Sequence, residues 1–222
     1  MSTIWVVTMR KRSMIGTLAV SGLAGVALYW RKNPSACPYS GRLFLEVPHP
    51  LITRNRLACI LLPEPGEQLL EVGPGTGYYS LEVARSLLPG GTLDIFDVQQ
   101  AMLDHTMRKA FARSVVNLNP TQGDARHLPY EEDRFDGAYL VTVLGEIGDQ
   151  SRALEELYRV VRHGGRVVVG ELIGDPHMVS YSSLLDRAVR LGLQPEERLG
   201  GRLGYFARFR VNKGAKVTAK LS

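Results

Sequence analysis

The sequence predicts an α/β fold: a mainly parallel sheet with helices on both faces, preceded by a hydrophobic N-terminal helix. Two observations carry the sheet and one the helix. From Glu67 onward short apolar runs alternate with helix-period segments, and Gly- or Pro-rich turns separate them. Before that body, Ser13–Trp30 runs for 18 residues without a charge.

Taken in order, Ser13–Trp30 reaches about 27 Å as a helix, enough to cross the hydrocarbon of a bilayer. Arg10, Lys11 and Arg12 precede it, Arg31 and Lys32 follow it, and Tyr29-Trp30 stand where an interfacial anchor belongs. Residues 1–32 are therefore expected to be a membrane anchor with basic flanks. A signal peptide and a packed amphipathic helix are the competing readings. Residues 33–50 carry Pro34, Pro38, Pro48 and Pro50 and read as a linker or lid. Leu51–Leu62 fits a short helix, and residues 51–212 form the expected catalytic body.

Within that body strands are expected near Gln68–Val72, Thr92–Asp97, Asn117–Gln122, Gly137–Val141 and Arg166–Glu171. Helices are expected near Tyr78–Leu88, Gln99–Arg113 and Gln150–Val161, with stops at Pro89-Gly90-Gly91 and His163-Gly164-Gly165. A helix over Met178–Leu191 and closing strands over Glu197–Leu203 and Tyr205–Val211 complete the series. Residues 213–222 read as a flexible tail.

Charge is divided along the chain. The first 56 residues hold eight Lys/Arg against Glu46, residues 57–194 hold twelve against nineteen acids, and the rest hold seven against Glu196 and Glu197. An acidic body disfavours a nucleic-acid face, whereas basic ends suit an anionic membrane. Cys37 and Cys59 are the only cysteines, too few for a disulfide framework or a cysteine metal site, so no metal is expected.

The chemistry concentrates in one run, Leu70-Glu71-Val72-Gly73-Pro74-Gly75-Thr76-Gly77-Tyr78, where the first strand turns into a helix. Such a turn lets backbone pass beneath a ligand while amides at the helix start donate to it. A dinucleotide fingerprint would place its third glycine one residue later, where Tyr78 stands. Asp97 ends the second strand, 20 residues beyond Gly77, and can accept both hydroxyls of a ribose, in NAD or in S-adenosylmethionine alike. After the third strand, Asp124-Ala125 supplies a carboxylate for an adenine amino group and an amide for its ring nitrogen. The fourth strand and a Gly-Gly turn into the fifth, Leu157 to Val169, follow.

In this ordered set the sequence resembles the class I S-adenosylmethionine-dependent methyltransferases, over about Leu51–Arg210. It is similar to the branch holding the ubiquinone/menaquinone-biosynthesis C-methyltransferases. The resemblance implies a Rossmann-like seven-stranded sheet with the last strand antiparallel, and S-adenosylmethionine as cofactor. It places Glu71, Gly73, Gly75, Thr76 and Gly77 about the methionine part and ribose, Asp97 on the ribose hydroxyls and Val98 against adenine. Asp124 and Ala125 would hold the adenine edge, and Val141 would lie beneath the sulfonium. Thr142-Val143-Leu144-Gly145-Glu146 departs from the quinone subgroup's pattern and leaves quinone specificity open.

Methyl transfer to an acceptor that must lose a proton needs a base. Glu146 after the fourth strand and His177 after the fifth are the candidates, and His49, His105 and His127 are expected to be structural. Each site residue also has a plainer reading: Asp97 as a cap for the next helix, Asp124 as a turn brace, Glu71 as a solvated strand end. The expected function is transfer of a methyl group from S-adenosylmethionine to a small hydrophobic or amphiphilic acceptor, quinone- or lipid-like, at the cytoplasmic face of a membrane. A silent S-adenosylmethionine-binding membrane protein and an NAD-dependent oxidoreductase are the alternatives.

Overall fold

A computed structural model describes residues 35–39 and 50–214. The hydrophobic N-terminal helix expected at Ser13–Trp30, His49 and most of the tail lie outside the described residues. No helix among those described is long and apolar enough to cross a membrane.

The body alternates as its pattern requires. Helix α1 (Arg54–Leu61) is followed by β1 (Gln68–Val72), α2 (Ser80–Ser86), β2 (Thr92–Asp97), α3 (Gln100–Ala112) and β3 (Leu118–Gln122). Then come β4 (Phe135–Val141), a 3-10 turn (Leu144–Glu146), α4 (Gln150–Val160), β5 (Val161–Leu172), α5 (Tyr181–Arg190), β6 (Leu193–Gly201) and β7 (Gly204–Val211). The seven strands form one sheet in the order β3-β2-β1-β4-β5-β7-β6. β1 to β5 are mutually parallel, and β7 runs antiparallel between β5 and β6.

Alternation along the strands explains the two-sided core. Leu70, Val72, Ala138, Leu140, Val167 and Val169 face one layer with Leu154 and Leu157 of α4 and Leu184 of α5. Their neighbours Leu69, Leu93, Ile95, Tyr139 and Val168 face the other, against Leu57 and Ile60 of α1, Leu81 of α2 and Leu103 of α3. A strand buried on both faces reads as a continuous apolar run, which is why these strands stand out in the sequence. Helices α1, α4 and α5 begin on side-chain caps: Thr53 accepts from the Arg56 N–H, Asp149 from Arg152 and Ser180 from Ser183.

The two largest departures from expectation are the starts of strands. β5 starts at Val161, five residues early, directly after α4, which ends at Val160 within one residue of expectation. Val161 already pairs with Phe135, and the register then shifts before Gly137 pairs with Arg166; Gly164, at φ +76°, takes up the kink. β6 is Leu193–Gly201 rather than Glu197–Leu203 because Pro195 is tolerated on an edge strand, where a shift between Pro195 and Glu197 absorbs it. The hairpin loop is therefore Arg202-Leu203, not Gly204.

One cluster sets the position of the loop that follows β3. Glu156 of α4 is buried and accepts the Leu128 N–H at 2.8 Å, while Arg159 donates to the Leu128 and Tyr130 carbonyls at 2.9 and 2.7 Å. Arg152 adds a bond to the Arg126 carbonyl at 3.2 Å. The Asp124-Ala125 segment is thus fastened to α4.

Candidate functional site

The ligand side of an open parallel sheet is the carboxyl end of its strands, and a cavity of about 470 Å³ lies there. Its floor is the glycine-rich turn. Gly73 donates its N–H to the Phe96 carbonyl at 2.8 Å, and Gly77 closes the turn by donating to the Pro74 carbonyl at 2.9 Å. Gly73 has φ +71°, and a Cβ there would stand 2.3 Å from Cγ2 of Val143. Only glycine lets the turn approach the loop after β4 this closely. From α3, Thr106 Oγ1 donates to the Gly75 carbonyl at 3.1 Å and supports the turn from outside.

Gly73, Gly75, Thr76, Asp97, Val98, Asp124, Ala125 and Val141 all reach the cavity wall. Glu71 and Gly77 do not line it. Glu71 lies behind the turn, 2% exposed, and burial raises its carboxyl to about 7 against a small opposing effect of the Ser80 and Tyr139 hydroxyls. A Cβ on Gly77 would come within 2.8 Å of Thr106 Cγ2, so this glycine packs α3 against the turn.

Whether these residues suit S-adenosylmethionine can be tested on the polar atoms left over. Thr76 Oγ1, on the cavity wall, is buried at the turn without a hydrogen-bond partner among the described residues. Buried polar atoms are normally satisfied, so an unpartnered hydroxyl at a strand-to-helix turn suits a polar ligand above it. Asp97 is 8% exposed and accepts the Gln99 N–H at 2.8 Å; burial raises its pKa. Asp97 caps the backbone, as its plainer reading requires, and also faces the cavity. Val98, half-exposed beside it, adds an apolar surface to the cavity wall.

Asp124 is held differently. Arg126 donates to it from its backbone N–H at 2.9 Å and from Nε and an Nη at 3.0 and 2.5 Å. These bonds lower the Asp124 carboxyl to about 2 and keep it an acceptor at any physiological pH. Arg126, absent from the sequence reading, lines the cavity too.

The other end of the cavity is built from Ile52, Tyr78, Tyr79, Val143 and Glu146. Glu146 is raised to about 8, first by burial and then by the nearby Asp175 and Asp97 carboxylates. Its two oxygens share the backbone N–H of Cys37, each at 3.2 Å. Cys37 belongs to the segment Ser35–Tyr39, of which Ser35, Ala36 and Cys37 line the cavity. Gln99 fastens the same segment from beside Asp97: its Nε2 donates to the Cys37 carbonyl at 2.8 Å and its Oε1 accepts the Tyr39 N–H at 3.2 Å. Tyr39 also bonds His105 at 3.2 Å. This strap links Gln99, beside Asp97, to the Glu146 carboxyl. No sequence signal reveals it, because its partners lie 60 to 109 residues away.

His177 is not brought to this cavity. It lines a second one, of about 330 Å³, with Gln150, Ser183 and Arg187, and its Nδ1 lies 3.9 Å from Asp175. The chain at His177 packs so tightly that a Cβ on Gly145 would sit 1.8 Å from its carbonyl oxygen.

Glu171, at the end of β5, is fully buried and raised to about 8, mainly by burial, although it accepts the Val179 N–H at 3.1 Å. Its folded pKa exceeds the unfolded value of about 4.3. The folded state therefore holds more protons between these limits, and stability falls as pH rises from about 5 to 8. Glu171→Gln is expected to raise the melting temperature at pH 8 by a few degrees, about 1 kcal/mol or more, and to leave it nearly unchanged at pH 5. Equal shifts at both pH values would show that titration is not the cause.

A model of the ubiE/COQ5 methyltransferase family matches residues 49–185. The chain is 33% identical over 121 residues to the ubiquinone/menaquinone biosynthesis C-methyltransferase UbiE of Haemophilus ducreyi, covering 53% of this chain and 47% of that protein. It is 33% identical over 118 residues to a demethylmenaquinone methyltransferase of Oceanobacillus iheyensis, covering 53% and 49%. Against an uncharacterized 37.1 kDa protein in transposon TN4556 of Streptomyces fradiae it is 31% identical over 175 residues, covering 72% and 50%. The chain thus spans about half the length of the curated relatives it matches. Among solved structures it is similar to an S-adenosylmethionine-dependent methyltransferase from Aquifex aeolicus, with TM-score 0.73, 16% identity, and coverage of 79% of this chain and 100% of that one. The [4+2]-cyclase SpnF gives TM-score 0.64 at 20% identity, covering 72% and 79%. Such identities show the fold alone, and the cyclase shows that the fold by itself does not dictate the reaction.

Proposed function

The chain belongs to the ubiE/COQ5 methyltransferase family, and on that premise we propose that it transfers the methyl group of S-adenosylmethionine to a small apolar or amphiphilic acceptor, quinone- or lipid-like, at the cytoplasmic face of a membrane. The observation that supports this most is the division of one cavity into two chemistries. One end offers the Gly73–Gly77 turn, the Asp97 carboxylate and the Asp124-Ala125 edge; the other is apolar and aromatic around the single carboxyl of Glu146.

When bound, S-adenosylmethionine supplies a sulfonium methyl that needs no further activation. The chain's own residues bind, align and dry the site. Asp97 and Asp124 would accept the ribose hydroxyls and the adenine amino group, and the turn would leave its buried Thr76 hydroxyl to the methionine part. Ile52, Tyr79 and Val143 exclude water and favour an apolar acceptor. Glu146, largely protonated at neutral pH, is poised to exchange a proton with an acceptor hydroxyl, and the strap over it closes the cavity. The names of the relatives, a ubiquinone/menaquinone biosynthesis C-methyltransferase and a demethylmenaquinone methyltransferase, support a quinone-like acceptor. The uncharged Ser13–Trp30 segment supports the membrane face.

The test is incubation of the purified protein with methyl-labelled S-adenosylmethionine and a host lysate, followed by counting label in lipid, aqueous, protein and nucleic-acid fractions. Label in the lipid fraction that Asp97→Ala abolishes is the expected result. Label elsewhere would refute the acceptor class. Absence of label from every fraction, with cofactor binding confirmed, would instead make the protein a silent binder.

A further inference from the structure

The turn after β5 and the tip of the β6–β7 hairpin form a rim that the proposed reaction does not use. Ile173 and Leu203 are 54% and 56% exposed there, and they are neighbours, since the Ile173 N–H donates to the Leu203 carbonyl at 2.8 Å. β7 begins opposite the end of β5, with Gly204 beside Leu172, so the hairpin tip stands at the carboxyl end of the sheet, the end that holds the cavity. The rim is continuous with the cavity wall. A Cβ on Gly204 would lie 3.0 Å from the Leu51 Cβ, and the next residue, Ile52, lines the cavity.

Among the described residues, the unpaired outward charges around this patch are basic, since the exposed Glu196 and Glu197 lower on β6 are paired with Arg208 and Arg210. Arg202 forms the hairpin tip beside Leu203. Arg198 is exposed and lies over the Tyr181 ring at 4.3 Å, and Arg54 is exposed over the ring of Tyr78, a cavity residue, at 4.0 Å. The acids of the same edge turn inward: Glu171 is fully buried, the Asp175 side chain is 13% exposed and takes the His177 N–H at 2.8 Å, and Glu146 holds the strap. Phe111 and Val116 are more exposed still, but they lie at the opposite end of the sheet, where β3 begins.

We infer that the rim of Ile173, Leu203, Arg198, Arg202 and Arg54 is the surface on which the protein rests against an anionic lipid bilayer, with the cavity mouth turned to the membrane. Aliphatic side chains enter the interface while guanidinium groups remain level with lipid phosphates. An apolar acceptor then passes along Leu203, Leu51 and Ile52 into the cavity without crossing water. The inference rests on the proposed apolar acceptor and adds the docking face, which is separate from the Ser13–Trp30 segment.

The test uses the full chain and two variants, Ile173→Asp/Leu203→Asp and Arg198→Gln/Arg202→Gln. Co-sedimentation is measured with vesicles of phosphatidylcholine alone and of phosphatidylcholine with phosphatidylglycerol. The wild type is expected to prefer the anionic vesicles. Loss of two arginines should lower that partition roughly 30-fold at low salt, and the aspartate pair should lower it at least as much. Both variants change only exposed side chains outside the cavity, so S-adenosylmethionine affinity should stay unchanged, which also reports correct folding. Unchanged partition of both variants, or no partition of the wild type, overturns the docking face. Methyl transfer to acceptor dispersed in detergent is read in parallel. Its absence in the wild type would refute the proposed reaction, independently of where the protein touches lipid.

Discussion

Asp97→Asn is expected to weaken S-adenosylmethionine binding about 10- to 100-fold without lowering the melting temperature. The loss corresponds to about 1.5–3 kcal/mol for hydrogen bonds accepted by a charged group. The retained stability follows from the structure. Asn keeps an oxygen for the Gln99 N–H that Asp97 now accepts at 2.8 Å, and it relieves the burial that raises the carboxyl's pKa. A purely structural cap would behave in the opposite way, with lower melting temperature and unchanged affinity. Isothermal titration and a thermal melt on the same sample separate the two.

Glu146→Gln is expected to lower kcat about 100-fold or more, the usual scale for a lost proton-transfer group, and to remove a pH dependence. A base acts only when deprotonated. With a carboxyl raised to about 8, wild-type kcat/KM should rise about tenfold per pH unit below 8 and level off above it. Gln preserves an oxygen for the Cys37 N–H that both carboxylate oxygens now share, so the strap keeps an anchor and the cavity its shape. The variant's profile should be flat from pH 6 to 9. A surviving rise through pH 8 would assign the proton to another group, and unchanged kcat would mean that the acceptor needs none.

What the sequence disclosed was what is local. The turn at Gly73–Gly77, Asp97 and Asp124 each sit at the end of a strand whose apolar run is visible, so their place on one sheet edge follows from the alternation of strands and helices. Glu71 carries the same motif signal, yet it points behind the turn, a difference of one residue in strand parity that decides between wall and support. His177 stood in the right loop by position. The chain there folds back onto Gly145 and turns the residue towards a second cavity, a contact between two loops that no periodicity encodes. Gln99 and the Cys37 backbone were missed for the same reason: what matters in them is an amide pairing across the cavity mouth. Arg126 was missed although it adjoins Asp124, because a guanidinium two residues from a carboxylate reads as an ordinary surface pair until the loop is seen to bend it back.

The two outer strands, β3 and β6, each carry a proline, Pro120 and Pro195. A proline in an edge strand has no N–H to offer, and the register of β6 shifts beside Pro195 as well. Neither border therefore presents an unbroken row of donors and acceptors on which a foreign strand could template itself. The break in each border hinders lengthening of the sheet by strand addition, a safeguard against aggregation.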